Sequence, residues 1–193
     1  MRYLITLPWM PYPATDGGKQ GSFNMLMELQ NMIDITLIYP VFFKKQMACQ
    51  YLLEKQLPKV KVYPFEYYKN KDGIKSQYSL FRLHRIITRK FLKQPYLATP
   101  IYKDAYIDFV NEIIKKDRID IVQNEYFEQL YMVYAIPNTV KKVFIQHEIQ
   151  YIAKERLFQQ REYPSSVRYL ATMQRIQEIN ALNEYDQVIT MTD

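Results

Sequence analysis

Short apolar segments alternate with helical patterns along the whole chain. Between the segments, apolar residues recur at spacings of three and four, which is typical of helices that pack on a core by one face. Strands that alternate with helices predict an α/β fold: a Rossmann-like three-layer sandwich with a mostly parallel six- to seven-stranded sheet and helices on both faces. The segments predicted as strands are residues 3–7, 34–39, 60–65, 119–123, 142–146 and 187–191.

Two prolines set limits on the predicted sheet. Pro40 follows Tyr39 directly, and we expect it to end the second strand because proline has no N–H for the ladder. Pro64 lies inside the third segment, which predicts that this strand lies at an edge of the sheet.

The first thirty residues combine a strand, a proline-rich loop, Asp16-Gly17-Gly18 and the start of a helix. This order places free backbone N–H groups and the positive end of a helix dipole beside a possible anion site. The stretch does not match the GxGxxG fingerprint of dinucleotide-binding proteins. A second interpretation stays open, in which Gly17-Gly18 is only a turn before a helix.

Composition narrows the class of protein. The chain has 193 residues, of which 48% are hydrophobic and 24% charged, enough for one globular domain with a real core. Cys49 is the single cysteine, so an internal disulfide is excluded and a reducing, cytoplasmic compartment is expected. The net charge of +6 favours anionic partners. No pattern typical of nucleic-acid-binding modules accompanies it, so nucleic acid is not expected.

Residues 79–93 form a predicted helix with an apolar stripe on one side and a basic stripe on the other. A basic stripe of this kind binds an anionic membrane surface or a phosphorylated acceptor in one interpretation. In the other it is the solvated face of an ordinary core-packed helix. The basic residues are Arg82, Arg85, Arg89 and Lys93.

Several candidate site residues lie beyond the ends of the predicted strands. Gly17-Gly18 follows the first strand and its proline-rich loop, Glu125 comes just after the fourth strand, and His147-Glu148 comes directly after the fifth. In open parallel sheets, ligands bind at the carboxyl ends of the strands. We therefore expect the diglycine turn and His147 to open onto one shared hollow. A lone histidine is also often structural, and the residues by themselves leave that alternative open.

Four segments carry a family resemblance: PYP with DGGK before the first helix, DIVQNEYF, VFIQHEIQYIAKERL and YDQVITMTD. In this order the chain resembles the N-terminal domain of glycosyltransferase family 4, whose members are GT-B enzymes with two Rossmann-like domains. The resemblance implies a retaining transferase that moves a sugar from a nucleotide-sugar to a glycan or lipid-linked acceptor, without a metal or other cofactor. It implies a cytoplasmic location, with peripheral contact at the inner face of the membrane.

The same resemblance implies that residues 1–193 form the acceptor-side domain and that the donor-binding domain is absent. We accordingly expect no sugar transfer by this chain alone. We also expect self-association through apolar surface that is left exposed without the terminal helix, which crosses back onto this domain in two-domain relatives. It implies His147 as the catalytic residue, which lines the cleft beside the transferred sugar. It implies a substrate-binding set of Gly17, Gly18, Lys19, Asn24, Glu125, Tyr126 and Glu148.

Two further functions fit the residues. One is a non-catalytic module that binds a nucleotide or an anionic glycan through its basic surface. The other is a nucleotide-sugar epimerase of similar architecture. Donor, acceptor and linkage are not encoded in any motif of the chain.

Overall fold

The computed structural model describes residues 1–69, 104–160 and 162–190. The predicted basic stripe of Arg82, Arg85, Arg89 and Lys93 lies outside the described residues. Six strands form one sheet, and every pair of neighbouring strands is parallel, which confirms the Rossmann-like α/β fold. The strands are β1 Arg2–Thr6, β2 Asp34–Val41, β3 Lys61–Glu66, β4 Ile121–Glu125, β5 Lys141–Gln146 and β6 Gln187–Thr190.

Helices cover both faces of the sheet, as predicted. Leu4 and Ile5 are consecutive in β1 and both fully buried, because alternate side chains point to opposite faces. Leu4 packs with apolar residues of α3, whereas Ile5 packs with those of α1 and α2. The helices are α1 Gly17–Leu29, α2 Gln50–Gln56, α3 Asp104–Lys116, α4 Gln150–Gln160 and α5 Ser165–Asn183, with 3₁₀ helices at Lys44–Cys49, Tyr67–Lys69 and Phe127–Tyr134.

The prediction that Pro40 ends the second strand is wrong, because β2 continues through Pro40 to Val41. The carbonyl of Ile38 accepts from the Leu7 N–H at 2.9 Å, so the Pro40 nitrogen, two residues on, faces the same side. A continued ladder would need an N–H there to donate to the Leu7 carbonyl. The buried Gln129 side chain supplies that donor instead, through Nε2 at 3.3 Å. Strand β2 therefore continues past Pro40 to Val41.

The sheet order is β3-β2-β1-β4-β5-β6, which places β3 and β6 at the edges. The edge position predicted from Pro64 is confirmed, since this residue lies in β3. The order reverses direction between β1 and β4, which is the switch point where open α/β sheets bind ligands. Within the described ranges, no helix has both the length and the apolar composition needed to cross a bilayer.

Candidate functional site

A polar and aromatic cluster lies at the switch point, beyond the carboxyl ends of β1, β4 and β5. It brings together Gly18 from the start of α1, Glu125 and Tyr126 from the end of β4, and His147 from the end of β5. These segments are far apart in sequence, and the sheet topology alone makes them neighbours. The expected common edge for the diglycine turn and His147 is therefore present.

The start of α1 is capped by its own residues. Asp16 is the N-cap, and its Oδ1 accepts from the Lys19 N–H at 3.0 Å. That backbone hydrogen bond holds the pKa of Asp16 below its usual range. The Lys19 Nζ lies 3.3 Å from Asp16 Oδ2 and 3.2 Å from Thr15 Oγ1. The charge that the sequence assigned to substrate binding at Lys19 is paired with the cap instead.

The two glycines have different surroundings. The Gly18 carbonyl accepts from the Tyr126 hydroxyl at 2.8 Å, and a Cβ on Gly18 would lie 3.2 Å from that oxygen. A side chain there would force the Tyr126 hydroxyl to shift by a few tenths of an ångström, so this close approach favours glycine. A Cβ on Gly17 would meet nothing within 4 Å. Gly17 therefore has open space beside its backbone, and the fold does not need a glycine at this position.

Tyr126 connects the parts of the cluster. Its ring stacks on the His147 ring with centroids 3.9 Å apart and planes 5° from parallel. Its other neighbour is Trp9, at 4.5 Å and 50°. The backbone of Tyr126 has φ 65° and ψ 154°, a conformation that L side chains rarely adopt and that costs about 1–3 kcal/mol. Strain of this kind persists only where surrounding contacts impose it, and such sites are often functional.

Glu125 lies behind the cluster and is only 1% exposed. Its Oε1 accepts from Gln123 Nε2 at 2.7 Å, and its Oε2 accepts from Ser22 Oγ at 3.2 Å and faces His147 Nε2 at 3.3 Å. Gln123 is held in turn by the Tyr3 hydroxyl at 3.0 Å. A buried carboxyl group needs such partners. The structure thus places Glu125 in contact with protein donors, as a support for His147, and not at a surface open to substrate.

His147 is the partly exposed end of this network, with 21% of its side chain accessible. A carboxylate can only accept hydrogen bonds, so the Nε2 that faces Glu125 carries a hydrogen and Nδ1 is left as an acceptor. An imidazole oriented by a buried carboxylate can accept a hydrogen bond from a ligand hydroxyl.

Two predicted site residues are not brought into the cluster. Asn24 is exposed on α1, and it lies roughly 200° around the helix axis from Ser22, which faces Glu125. Glu148 is exposed, and it accepts from Gln150 Nε2 at 2.9 Å. Both residues were proposed from their positions in the order of the sequence, but the helix phase directs Asn24 away from the cluster, and Glu148 lies exposed in the turn after β5.

Three residues of the cluster were not identified from the sequence: Trp9, Ser22 and Gln123. Ser22 lies one helical turn after Gly18, so the helical period could have placed it on the same side. Gln123 alternates with Glu125 along β4, so the strand period could have placed both on one face. Trp9 had no comparable signal, since it lies in an irregular loop. Among the described residues, no group of three or more His, Cys, Asp or Glu side chains is arranged to hold a metal ion.

Comparison with known proteins adds little to this geometry. No family model matches the chain, and no curated protein matches it. A solved structure with a similar chain path is the crystal structure of a short-chain dehydrogenase from Oenococcus oeni PSU-1. It is 11% identical, has a TM-score of 0.30, and the match covers 98% of this chain and 94% of the dehydrogenase. A likeness this weak carries no argument about function.

Proposed function

We propose that this chain is the acceptor-side domain of a GT-B glycosyltransferase that moves a sugar from a nucleotide-sugar to a glycan or lipid-linked acceptor. The observation that carries the proposal is the cluster at the switch point. There Tyr126 binds Gly18 across 108 residues of sequence and stacks on His147. The family resemblance assigns its cleft to these same segments, and the sheet brings them to one edge.

In this proposal His147 orients the sugar. Its Nε2 is engaged by Glu125 at 3.3 Å, so Nδ1 is the atom that accepts from a sugar hydroxyl. The family resemblance implies a retaining reaction in which the leaving phosphate assists the acceptor, so a strong protein base is not required. The Glu125–His147 pair then serves binding and orientation, which lower the entropy cost of the reaction.

In this proposal the transferred sugar comes close to the backbone of Gly17. Its backbone lies at the start of α1, where N–H groups and the helix dipole favour a negative or electron-rich atom. No side chain of the described residues comes within 4 Å of the position that its Cβ would take. Because Asp16 adds a negative charge at the cap, we assign to Gly17 a sugar hydroxyl or ring oxygen in preference to a phosphate.

Contact with the membrane and self-association stay predictions of the sequence. The basic residues proposed for anionic membrane or acceptor binding, Arg82, Arg85, Arg89 and Lys93, belong to the part of the chain outside the described residues. For self-association, the structure offers Val188 and Ile189 of edge strand β6, which are 37% and 39% exposed. Light scattering at rising protein concentration tests the latter, and a constant monomer mass would contradict it.

The direct test of the proposed function uses the imidazole signals in nuclear magnetic resonance. The sequence has two histidines, so His147 can be followed with His84 as the internal reference. Titration with UDP-glucose and with methyl glucoside should shift the His147 signal, and the uncharged methyl glucoside should leave the His84 signal in place. If neither UDP-glucose nor methyl glucoside shifts the His147 signal at tens of millimolar, the proposal is overturned.

A glycine variant, Gly17→Ala, sharpens this test. Gly17→Ala leaves the fold intact because its Cβ meets nothing, yet it fills the space proposed for the sugar. We expect this variant to weaken the His147 response to the bound probe by about tenfold, the loss that follows when one hydrogen bond cannot form. An unchanged titration in Gly17→Ala would exclude Gly17 from the site while leaving His147 open.

A further inference from the structure

A cavity of about 320 Å³ lies between α4 and α5, apart from the switch-point cluster. Every lining residue within the described part of the chain belongs to one of these two helices, and Gly18, Glu125, Tyr126 and His147 are not among them. The volume lies at the lower end of the range for small-molecule sites. This cavity is therefore a separate place on the protein with room for a small ligand.

One wall of the cavity is cationic. Arg168 and Arg175 line it from α5, seven residues and two helical turns apart. Arg175 donates to Glu155 at 2.8 Å and lies over the Tyr151 ring at 5.2 Å from its centroid. Arg168 makes no side-chain hydrogen bond or ion pair with the rest of the described residues. Its guanidinium group is thus available to a ligand, whereas Arg175 is engaged by a carboxylate.

The opposite wall is aromatic. Tyr151 and Phe158 line the cavity from α4, again seven residues apart, so both side chains lie along one side of that helix. Phe158 also packs edge-on against Tyr163, with centroids 5.1 Å apart and planes at 65°. This contact fixes the ring in place. A ligand in the cavity therefore meets a guanidinium fork on one side and aromatic faces on the other.

We propose that the cavity binds a phosphorylated ring compound, with its phosphate on Arg168 and its ring against Tyr151 and Phe158. A guanidinium group matches phosphate oxygens with two parallel N–H donors, which is why arginine is preferred where phosphate geometry matters. The aromatic faces give a ring compound an advantage over phosphate alone. The site uses no residue of the switch-point cluster, so the proposal does not depend on the proposed transferase function.

Glu155 sets the strength of this site. Its carboxylate is 48% exposed and neutralises Arg175 at the cavity wall. Replacing it by glutamine keeps the size and the hydrogen-bonding oxygen but frees the charge of Arg175. The cavity then presents two cations in place of one. We expect Glu155→Gln to bind a phosphorylated compound several-fold more tightly, because a second guanidinium adds a charge-assisted hydrogen bond.

Calorimetric titration of the 193-residue chain with uridine monophosphate, glucose 1-phosphate and inorganic phosphate tests the proposal. Arg168→Gln should weaken binding of the better ring compound by about tenfold. Arg156→Gln is the matched control, since it removes one exposed positive charge from α4 without lining the cavity, and it should leave affinity unchanged. Arg168→Lys, which keeps the charge but lacks the fork, should fall between the two.

Three other results of these titrations would contradict the proposal, each in a different part. Equal losses in Arg168→Gln and Arg156→Gln would show diffuse attraction to a basic protein and no built site. Inorganic phosphate that binds as tightly as both ring compounds would remove the aromatic wall from the proposal. No heat from any probe at millimolar concentration, with folding confirmed by circular dichroism, would overturn it entirely. Whether the uridine or the glucose compound binds more tightly tells which ring the wall accepts.

Discussion

The two faces of strand β4 carry two different polar networks. Gln123, Asn124 and Glu125 are consecutive, and all three are buried, with exposures of 3%, 0% and 1%. Because side chains alternate along a strand, Gln123 and Glu125 point toward α1, and Asn124 points to the opposite face. Three consecutive polar residues at the centre of the sheet therefore face opposite sides of it and have separate hydrogen-bond partners.

The network on the Asn124 face is closed. Thr6 Oγ1 donates to Asn124 Oδ1 at 2.6 Å, and Asn124 Nδ2 donates to the Tyr185 hydroxyl at 2.9 Å. That hydroxyl donates to the Leu130 carbonyl at 2.7 Å. Burial raises the pKa of Tyr185, which keeps it a neutral donor. Every residue that contributes a side chain is at least nine-tenths buried, so this network joins β1, β4 and the end of α5 without any outlet.

The network on the Glu125 face has an outlet. It begins at Tyr3, passes through Gln123 and Glu125, and ends at His147, of which 21% of the side chain is accessible. Buried polar groups alone do not mark a functional site, since the first network has as many. The partly exposed terminal group is what distinguishes the two. Variants on the closed face should change stability, and variants at the outlet should change binding.

Asn124→Leu should give the largest effect on stability. It leaves the Tyr185 hydroxyl without its donor and Thr6 without its acceptor in a fully buried place. We expect a loss of about 2–4 kcal/mol in the free energy of unfolding, measured by urea denaturation. A loss below about 1 kcal/mol would mean that the two faces do not differ as described.

Gly18→Ala should come next, with Gly17→Ala as its control. Both changes replace a glycine in the first turn of α1, but only the Cβ on Gly18 approaches Tyr126, at 3.2 Å. Displacing that hydroxyl loses one hydrogen bond, so Gly18→Ala should be about 1 kcal/mol less stable than Gly17→Ala. Identical thermal unfolding of the two variants would show that Tyr126 is not held by the diglycine turn.

His147→Gln should change stability by no more than about 0.5 kcal/mol, because the site is partly exposed and Glu125 keeps Ser22 and Gln123 as donors. The same variant should abolish the binding of UDP-glucose or methyl glucoside, followed on backbone amide signals of α1. If His147→Gln lowered the free energy of unfolding strongly and still bound the sugar probes, His147 would have a structural role, and the Glu125 face would resemble the closed Asn124 face.

The last comparison lies between α4 and α5, where the charged end of a lysine is buried without a hydrogen-bond partner among the described residues. Lys154 Nζ has no such partner among the described residues, and burial lowers its pKa to about 8. Glu178 is a buried residue of α5 whose carboxylate accepts from the backbone N–H of Gln150 at the N-terminus of α4. Its negative charge raises the pKa of Lys154 and so offsets the effect of burial only in part. Unfolding would raise the pKa again, so the folded chain pays a penalty that is complete below pH 8 and disappears as the pH rises toward 10.5.

Lys154→Met should therefore unfold at a higher temperature than the parent chain at pH 7. The difference should shrink between pH 8 and about pH 10.5, because the unfolded lysine also loses its proton there. Thermal melts across that range measure it. A difference that stays constant with pH would show that packing, and not the buried charge, separates the two proteins.

The periods of apolar residues determined a large part of the fold. Each of the six predicted strands is present to within two residues at either end, and α1 begins at the predicted diglycine turn. These features depend on local spacing, which a sequence displays directly. The placement of Gly18, Glu125 and His147 at strand ends followed from the same reading, since parallel strands share one carboxyl edge.

Only the tertiary structure decided what these residues do next to one another. Tyr126 takes a backbone conformation that its own residue type disfavours, and contacts with Gly18, His147 and Trp9 impose it. Pro40 stays inside a strand because a side chain remote in sequence, Gln129, replaces its missing donor. Gly18 and Trp9 are more than eighty residues from Tyr126, and Gln129 is equally remote from Pro40. Local pattern determines which elements form, whereas contacts between elements decide which polar side chains are enclosed and which one reaches the surface.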